Sequence, residues 1–470
     1  MRREATEPAA LRSWLLHAPD RIEGTLRVPG DKSISHRSLL LGALAHGVTE
    51  VRGFLRGADC LATLEALRAL GTEIIESADG GVQIKGAGPE ALREPLTVLD
   101  AGNSGTSLRL LAGLLAGRPF FSVLTGDASL RSRPMRRITE PLAAMGATLL
   151  GRVNGDFPPL AIRGGALSGI GWRSPVASAQ VKSAILLAGL QATGETSVTE
   201  PTLSRDHTER MLTAFGVSPQ RSGTTVIVRG GATLHATQLD VPGDLSSAAF
   251  FLVAAAAQAG AEVHIQNVGV NPTRTGLLDV LTRMGAAVDR DHPRIHGGEP
   301  VADLRVRGVR LHGTTIEAEA IPRLIDEIPI LTVAAALAEG VTLISGAGEL
   351  RVKEVDRLAA LAGELCTLGV AIAVEGDSLR ITGGRRLRGA AVRSRGDHRM
   401  AMSLAVAGLF AEGETIVEDV ACVETSFPGF ARLLESVASG CGIREIPTSG
   451  CNSIAGSSQL ASRFEENSSL

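Results

Sequence analysis

The stretch LRVPGDKSISHRSLLLGALAHGVTEVRG, residues 26–53, contains the pattern that decides the fold of this 470-residue chain. A Pro-Gly-Asp turn precedes an apolar helix that ends at Gly47, and a β-rich run, VTEVRG, follows. Proline disfavours helix in the residue before it, and glycine lets the backbone turn where a helix ends. A second helix then ends at Gly71. The stretch therefore predicts one compact unit of two helices and a few strands.

This unit recurs along the chain. Further first helices end at Gly117, Gly194, Gly260, Gly340 and Gly413, and further second helices end at Gly146, Gly216, Gly285, Gly369 and, less regularly, Gly440 or Gly442. A spacing of about 66 to 80 residues is too long for a solenoid repeat and fits a small subdomain. Because the first helices are apolar on every side, we expect them inside and mixed sheets outside.

Two near-copies of one turn suggest how the six units are divided. The segments LRVPGDKS and LDVPGDLS would be crossovers near 29–30 and 242–243. They would enclose residues 31–241 as an inserted domain of three units and leave 18–29 plus 243–440 as the other domain. Val-Pro-Gly is also a common turn, so the alternative is a plain loop.

The two ends of the chain fit none of the six units. Residues 1–17 are predicted to be an extension. Residues 448–470 are rich in Ser, Asn and Gly, a composition typical of a disordered or foreign tail.

The composition argues against several classes of partner. The 47 basic and 50 acidic residues nearly balance, aromatic residues make up 3% and tyrosine is absent, which disfavours nucleic acid and charged membranes. No run is apolar enough for a membrane span. Five cysteines, an odd number, fit a reducing cytosol without a disulfide framework. We expect a cytoplasmic monomer that binds neither nucleic acid nor membrane.

Cations stand where the apolar helices begin, as with Lys32, Arg37, Arg109 and Arg399. The Ser, Asn and Asp residues beside them are ordinary N-caps, which explains part of the pattern without any function. A cation there opposes the helix dipole, whereas a bound anion would remove the conflict. Six such helix starts converging on one cleft would form an oxyanion site.

Two further charged segments could join this site. GDASLRSRPM (126–135) contains Arg133, and RVKEVDR (351–357) contains Lys353, Glu354 and Arg357. The alternatives are a solvated basic loop for the first segment and a salt-bridged helical turn for the second.

Nine segments in order resemble the 5-enolpyruvylshikimate-3-phosphate (EPSP) synthase family over about residues 20–440. They are GDKSISHR, GNSGTSLR, GDASLRSRP, SAQVKSA, RDHTERML, IDEIP, RVKEVDRL, GDHRMAM and TSFPGF. The Asp of GDKS, the SAQ triplet and RDHT are similar to the class II branch. The resemblance implies an α/β (α+β) fold, a two-domain inside-out α/β barrel (β-prism) of six βαβαββ repeats, three per domain.

The resemblance also implies an activity, the transfer of the enolpyruvyl group of phosphoenolpyruvate to the 5-hydroxyl of shikimate 3-phosphate, with release of phosphate, on the route to chorismate and the aromatic amino acids. Neither a metal ion nor a cofactor is expected. The residues implied to hold shikimate 3-phosphate are Lys32, Ser33, Arg37, Ser178, Ala179, Gln180, Arg205, Asp326 and Lys353. Those implied to hold phosphoenolpyruvate are Lys32, Asn103, Gly105, Thr106, Arg133, Gln180, Arg357 and Arg399.

The implied reaction is addition followed by elimination through a tetrahedral intermediate. Asp326 is the expected base for the hydroxyl, Glu354 the acid that protonates the methylene carbon, and Lys32 the group that neutralises the bridging and leaving oxygens. An acid that protonates carbon must carry its proton at neutral pH, so we expect a raised pKa for Glu354.

The sequence departs from the family pattern at two places. Thr425 and Ser426 precede Phe427 where a lysine is frequent, and without tyrosine the shikimate ring would be covered by Arg205 or His207. Gly105 leaves room beside the phosphoenolpyruvate site, from which we expect inhibition by the analogue glyphosate.

Three other functions remain as alternatives. The enolpyruvyl transferase that acts on UDP-N-acetylglucosamine uses a cysteine in the loop matching residues 118–135, which contain none. A non-catalytic repeat scaffold would not need cations at its helix starts. RNA 3′-phosphate cyclases use a related unit but need ATP and a nucleophilic histidine, and the near-zero net charge does not favour RNA.

Overall fold

A computed structural model describes residues 12–447. The predicted tail over 448–470 and the first eleven residues of the predicted extension lie outside the described part of the chain.

Twelve helices of at least eight residues lie in the described part, two in each repeat. They are α1 Lys32–Leu44, α2 Ala58–Ala69, α3 Gly105–Ala116, α4 Arg136–Ala144, α5 Ala179–Gly189, α6 His207–Ala214, α7 Leu245–Ala257, α8 Gly276–Arg283, α9 Ile328–Leu337, α10 Arg357–Thr367, α11 His398–Gly408 and α12 Phe430–Val437. The odd-numbered helices are almost wholly buried, as the long apolar runs in their sequences predict.

The strands follow and separate these helices in every repeat. They are β1 Arg12–Leu16, β2 Arg21–Leu26, β3 His46–Arg52, β4 Glu73–Glu76, β5 Val82–Ala87, β6 Leu99–Asp100, β7 Phe121–Thr125, β8 Thr148–Gly151, β9 Phe157–Arg163, β10 Leu167–Ser168, β11 Gly171–Arg173, β12 Ala192–Thr193, β13 Glu195–Thr199, β14 Gln220–Ser222, β15 Thr225–Arg229, β16 Gln238–Asp240, β17 Glu262–Gly269, β18 Ala287–His296, β19 Glu299–Arg307, β20 Thr315–Ile316, β21 Val341–Ile344, β22 Ala371–Glu375, β23 Ser378–Thr382, β24 Leu387–Arg388, β25 Ala391–Arg393, β26 Ala411–Glu412, β27 Thr415–Glu418, β28 Ala438–Ser439 and β29 Arg444–Pro447.

Three sheets with one topology surround the helices of residues 31–241, which we call the second domain. Their strand orders are β16-β3-β5-β4, β6-β7-β9-β8 and β11-β13-β15-β14. In each sheet the first pair is parallel and the other pairs are antiparallel. In two of these sheets the parallel pair is joined by a βαβ connection, through α3 or α5, as a βαβαββ repeat requires. In the remaining sheet β16, at the end of the domain, takes the parallel position beside β3.

The rest of the described chain, which we call the first domain, repeats this plan. Its sheet orders are β18-β19-β17-β2-β28, β20-β21-β23-β22 and β25-β27-β1-β29. One apolar core contains buried residues between 14 and 28 and between 245 and 441, and the other contains buried residues between 34 and 241. In both, the odd-numbered helices pack against one another inside the sheets. The predicted inside-out α/β fold is confirmed.

The first strand contradicts part of the prediction that residues 1–17 are an extension outside the repeats. Arg12–Leu16 form β1, which is inserted between β27 and β29 and pairs Trp14 with Val417 and Glu445. The Trp14 ring also stacks on Phe430, with centroids 5.7 Å apart. The extension is therefore wrong for residues 12–16, which complete the sheet of the sixth repeat.

The two Pro-Gly-Asp crossovers run side by side between the domains. The backbone N–H of Asp31 donates to the Pro242 carbonyl at 2.8 Å, and that of Asp244 donates to the Pro29 carbonyl at 2.9 Å. A Cβ at Gly30 would lie 1.9 Å from a backbone carbonyl oxygen, so this close approach requires glycine.

None of the helices in residues 12–447 combines the length and the apolar character that crossing a membrane requires.

Candidate active site

A cavity between the two domains brings most of the predicted site residues together. Its wall contains the predicted Lys32, Ser33, Arg37, Asn103, Gly105, Thr106, Arg133, Ala179, Gln180, Arg205, Asp326, Lys353, Glu354 and Arg399. It also contains Asp59, Arg109, Asp244, Ser246, Arg274, Val352 and His398. Eight of these side chains are cationic and four are carboxylates, so the wall attracts anions.

Two predicted residues lie outside this cavity. Ser178 lines an adjoining pocket, which shares Gln180 and Arg205 with the cavity. Arg357 is 1% exposed, and its Nε donates to Asp397 Oδ2 at 2.7 Å.

The first residues of five odd-numbered helices form much of the wall. These helices are α1, α3, α5, α7 and α11, and Asp326 precedes the sixth, α9. The N-cap side chains satisfy the backbone N–H groups behind them, as where Asp31 Oδ1 accepts from Ile34 N at 2.9 Å and Ser104 Oγ accepts from Ser107 N at 3.0 Å. Positive helix ends and cationic side chains therefore converge from both domains.

The surroundings lower the pKa of two arginines in the wall. Burial lowers the pKa of Arg37 to about 10. Burial, with a further contribution from the Arg133 guanidinium, lowers the pKa of Arg109 to about 10. Both guanidiniums stay charged at neutral pH, and a bound anion would relieve the unfavourable environment.

Lys32 lies at the first position of α1 and contacts both domains. Its Nζ is 3.0 Å from Asp59 Oδ2, and its backbone N–H donates to Asp244 Oδ2 at 3.1 Å. Sequence reasoning missed Asp59 because it begins a second helix of a repeat, whereas the predicted pattern concerned the first helices.

Asp326 is surrounded by cations. Arg205 Nη2 donates to Asp326 Oδ2 at 2.5 Å, and Lys353 Nζ lies 3.8 Å from Oδ1. Arg399 donates to the Asp326 carbonyl oxygen at 3.0 Å. Burial alone would raise the pKa of Asp326, but the nearby positive charges, Arg205 and Arg399 foremost, hold it well below its usual range.

Glu354 differs from the expectation of a raised pKa. Its Oε2 accepts a 2.5 Å hydrogen bond from Arg357, three residues further along the chain, and Arg133 Nη1 approaches Oε1 to 3.7 Å. Burial would raise the pKa of Glu354, but these two guanidiniums outweigh burial and hold the pKa well below its usual range. The predicted raised pKa is therefore wrong for the protein without bound substrates.

The start of α3 is tied to the remaining predicted polar residues. Arg109 Nη1 donates to Gln180 Oε1 at 2.6 Å, and Gln180 Nε2 donates to Thr106 Oγ1 at 2.9 Å. Arg133 Nη2 donates to Asn103 Oδ1 at 2.6 Å. These hydrogen bonds connect the predicted side chains to Arg109 and Arg133, the two arginines beside Gly105.

His207 does not cover the cavity, contrary to one of the two expected choices. Its side chain is 2% exposed, and its Nδ1 lies 2.8 Å from Glu299 Oε1. The neighbouring Arg205 does line the cavity. Position in the sequence could not separate the two residues, because their contacts lie about 90 or more residues away.

A buried carboxylate that sequence reasoning missed lies behind Ser178. Glu200 Oε1 accepts from the Ser178 backbone N–H at 2.9 Å, and Oε2 accepts from Ser204 Oγ at 2.8 Å. Lys182 Nζ, itself 2% exposed, lies 3.0 Å from Glu200 Oε2 and 2.8 Å from Glu209 Oε1. Glu200 thus orients the two serines of the adjoining pocket.

The fold is that of the enolpyruvyl transferases. The solved structure of the enolpyruvyl transferase NikO from Streptomyces tendae has a TM-score of 0.77 at 20% identity, covering 94% of this chain and 100% of that one. The solved EPSP synthase from Acinetobacter baumannii has a TM-score of 0.83 at 46% identity, covering 93% and 100%.

The chain belongs to the EPSP synthase (3-phosphoshikimate 1-carboxyvinyltransferase) family, whose model matches residues 16–434. The 3-phosphoshikimate 1-carboxyvinyltransferase of Desulforudis audaxviator is 58% identical over 417 residues, 88% of this chain and 97% of the relative. That of Pelobacter propionicus is 56% identical over 420 residues, 89% and 97%. The predicted family, enzyme class and transferase activity are confirmed, in preference to the alternatives.

Proposed function

We propose that the cavity between the domains is where the chain joins phosphoenolpyruvate to shikimate 3-phosphate. The observation that supports this most is the excess of cations from both domains around two partly buried carboxylates, Asp326 and Glu354. Both substrates are multiply anionic, and the reaction needs one base and one acid. A cavity of this composition supplies the charge and both groups.

The proposed addition forms a bond between the 5-hydroxyl oxygen and C2 of phosphoenolpyruvate. Asp326 takes the hydroxyl proton, while Glu354 delivers a proton to C3. In the elimination, the C2–O bond to phosphate breaks, the Glu354 carboxylate takes a proton back from C3 and the double bond returns. The proton held by Asp326 leaves with the departing phosphate. Lys32, at the positive end of α1, neutralises the departing phosphate.

Substrate charge would change the protonation of Glu354. Arg357 and Arg133 now compensate the charge of Glu354. An anionic substrate that draws on the same guanidiniums adds negative charge beside Glu354, which raises its pKa. In this proposal Glu354 becomes an acid only when phosphoenolpyruvate is bound, which limits unproductive proton transfer.

The remaining roles are those that the resemblance to the family implies, and the presence of these residues in the cavity and the adjoining pocket supports them. Ser33, Arg37, Ser178, Ala179, Gln180, Arg205 and Lys353 bind shikimate 3-phosphate, whereas Asn103, Gly105, Thr106, Arg133 and Arg399 bind phosphoenolpyruvate. Arg357 is buried, and in this proposal it acts through its ion pair with Glu354.

The direct test is phosphate release from phosphoenolpyruvate by the purified chain. We expect release that depends on shikimate 3-phosphate and is absent with UDP-N-acetylglucosamine. Release with the nucleotide sugar, or with neither acceptor, contradicts the proposal.

Glu200→Gln should weaken the binding of one substrate only. The glutamine can accept from the Ser178 N–H, but it loses the charged acceptor for Ser204 and Lys182. A buried hydrogen bond to a charged group contributes about 1.5–3 kcal/mol, so we expect the KM for shikimate 3-phosphate to rise about 10- to 100-fold. Steady-state kinetics should show kcat and the KM for phosphoenolpyruvate nearly unchanged.

Glu209→Gln is the matched control, because it also removes a Lys182 partner but contacts neither serine. Equal weakening of both substrates by Glu200→Gln, or the same effect in the control, would contradict the role of Glu200.

Millimolar glyphosate should inhibit the enzyme, and Gly105→Ala should weaken this inhibition. An added Cβ would lie 2.9 Å from Arg109 Nη1 and 3.3 Å from Arg133 Nη1, so both guanidiniums must shift. Because the proposed phosphoenolpyruvate site includes Arg133, the KM for phosphoenolpyruvate should rise as well. Inhibition assays on both forms check this, and unchanged turnover in millimolar glyphosate would refute it.

A further inference from the structure

Two buried hydroxyl groups of the second domain lie next to the cavity wall and have no part in the proposed chemistry. Ser183 on α5 is 1% exposed and Thr208 on α6 is 2% exposed, and their side-chain oxygens lie 2.6 Å apart. Burial of polar groups is unfavourable unless they are hydrogen-bonded, so the partners of this pair indicate what it does. The partner that reaches the cavity is Arg37 of α1.

Arg37 donates to both hydroxyls and to its own helix. Its Nε donates to Thr208 Oγ1 at 2.7 Å, its Nη2 to Ser183 Oγ at 2.7 Å, and its Nη1 to the Ser33 carbonyl oxygen at 2.9 Å. A guanidinium carries a second N–H on each of Nη1 and Nη2. Within residues 12–447 neither of these two N–H groups has a protein acceptor, so both are left for a ligand at the cavity wall.

The directions of the hydrogen bonds between the hydroxyls follow from their protons. Arg37 can only donate, so both hydroxyl oxygens accept from it. Ser183 Oγ also donates to the Ala179 carbonyl oxygen at 2.5 Å, which uses its one proton. Thr208 then donates to Ser183, and each proton of the pair has an acceptor. The hydrogen bonds thus run from Arg37 through both hydroxyls to Ala179, the first residue of α5.

The three acceptors of Arg37 are uncharged, unlike those of two other arginines of the predicted site. Arg205 donates to the Asp326 carboxylate, and Arg357 donates to that of Asp397. Neutral oxygens hold a guanidinium in place without compensating its charge, whereas a carboxylate does both. The positive charge of Arg37 therefore remains available to a bound anion.

We propose that Ser183 and Thr208 are positioning residues, which fix Arg37 at the cavity wall and leave its charge and its two remaining N–H groups for an anionic group of shikimate 3-phosphate. The proposal deepens the proposed function of the cavity and rests on it. Neither residue belongs to the described wall of the cavity or of the adjoining pocket, so the pair acts through Arg37.

Thr208→Val removes the hydroxyl and nearly keeps the shape of the side chain. The Nε–H of Arg37 then loses its acceptor, and we expect the KM for shikimate 3-phosphate to rise about 10- to 100-fold, as for a lost hydrogen bond to a charged group. The dissociation constant from calorimetric titration should rise by the same factor. The values of kcat and of the KM for phosphoenolpyruvate should stay nearly unchanged. Thr208→Ser keeps the hydroxyl and should behave like the unmodified chain.

Thr213→Val is the matched control, because Thr213 is also on α6 but is exposed, and its hydroxyl donates to the Glu209 carbonyl oxygen at 3.2 Å. It should change none of these quantities. If Thr208 acts through Arg37, Thr208→Val should weaken binding less than about threefold further in a chain that already carries Arg37→Met. The full effect of Thr208→Val in that chain, or equal weakening of both substrates, would overturn the proposal.

The place of Arg37 can also be measured without substrate or turnover. In a crystal structure of the double variant Ser183→Ala/Thr208→Val, the Arg37 guanidinium should lie away from its present position, because both hydroxyl acceptors are gone. If the double variant does not fold, Thr208→Val alone provides the comparison. An unmoved guanidinium would contradict the positioning role. Absence of turnover in the unmodified chain would refute the proposed function and leave the crystallographic test intact.

Discussion

Lys32→Ala should leave a folded protein that has lost almost all turnover. The Lys32 ammonium is the cation at the first residue of α1, where the helix dipole adds to its field, and it lies 3.0 Å from Asp59 at the cavity wall. Removing one preorganised group that stabilises developing charge typically lowers kcat by about 10²–10³-fold. We expect a loss of this size in kcat, measured as phosphate release with both substrates saturating.

Lys85→Ala is the control for this variant, because Lys85 pairs with Glu73 on the exposed face of a sheet. Circular dichroism and thermal unfolding establish that both variants are folded. A Lys32→Ala enzyme with kcat within threefold of the unmodified enzyme would show that Lys32 has no part in the chemistry.

The repeats were predictable because their signals are local. A run such as LVAAAA in α7 is apolar on every side, and a positive-φ glycine follows it at Gly260. The strand β1 was not predictable, because RSWLL is short and its partners lie about 400 residues further along the chain. Only the assembled sheet of the sixth repeat shows that these residues complete it.

The candidate site also contains residues that the sequence could predict and residues that it could not. Polar residues at helix starts were recognised because capping and cationic charge can be read from neighbouring residues. Glu200 and Arg274 were missed because they look like ordinary charged residues until distant segments meet them. The pKa of Glu354 was predicted in the wrong direction because Arg133, one of the two cations responsible, comes from the other domain.

Asp326→Asn should lower the rate of the chemical step without weakening the binding of phosphoenolpyruvate. Asp326 is the proposed base, and the asparagine that replaces it cannot take a proton from the 5-hydroxyl. General base catalysis typically contributes about 10²–10⁴-fold, so we expect kcat to fall by this factor. The substitution also frees Arg205, Arg399 and Lys353 from a competing carboxylate. Calorimetric titration should therefore give a dissociation constant for phosphoenolpyruvate, with shikimate 3-phosphate present, that does not increase.

A lower kcat with unchanged binding of phosphoenolpyruvate would exclude a purely structural role for Asp326. Loss of fold or of cavity shape would weaken binding together with turnover, whereas loss of the base alone affects turnover. Asp279→Asn, which removes an exposed partner of Arg323, is the matched control and should change neither quantity. If Asp326→Asn retained kcat within tenfold, the base would have to be another residue. If Asp326→Asn bound phosphoenolpyruvate more weakly, the main effect of the Asp326 carboxylate would be to hold the surrounding cations in place for the substrate.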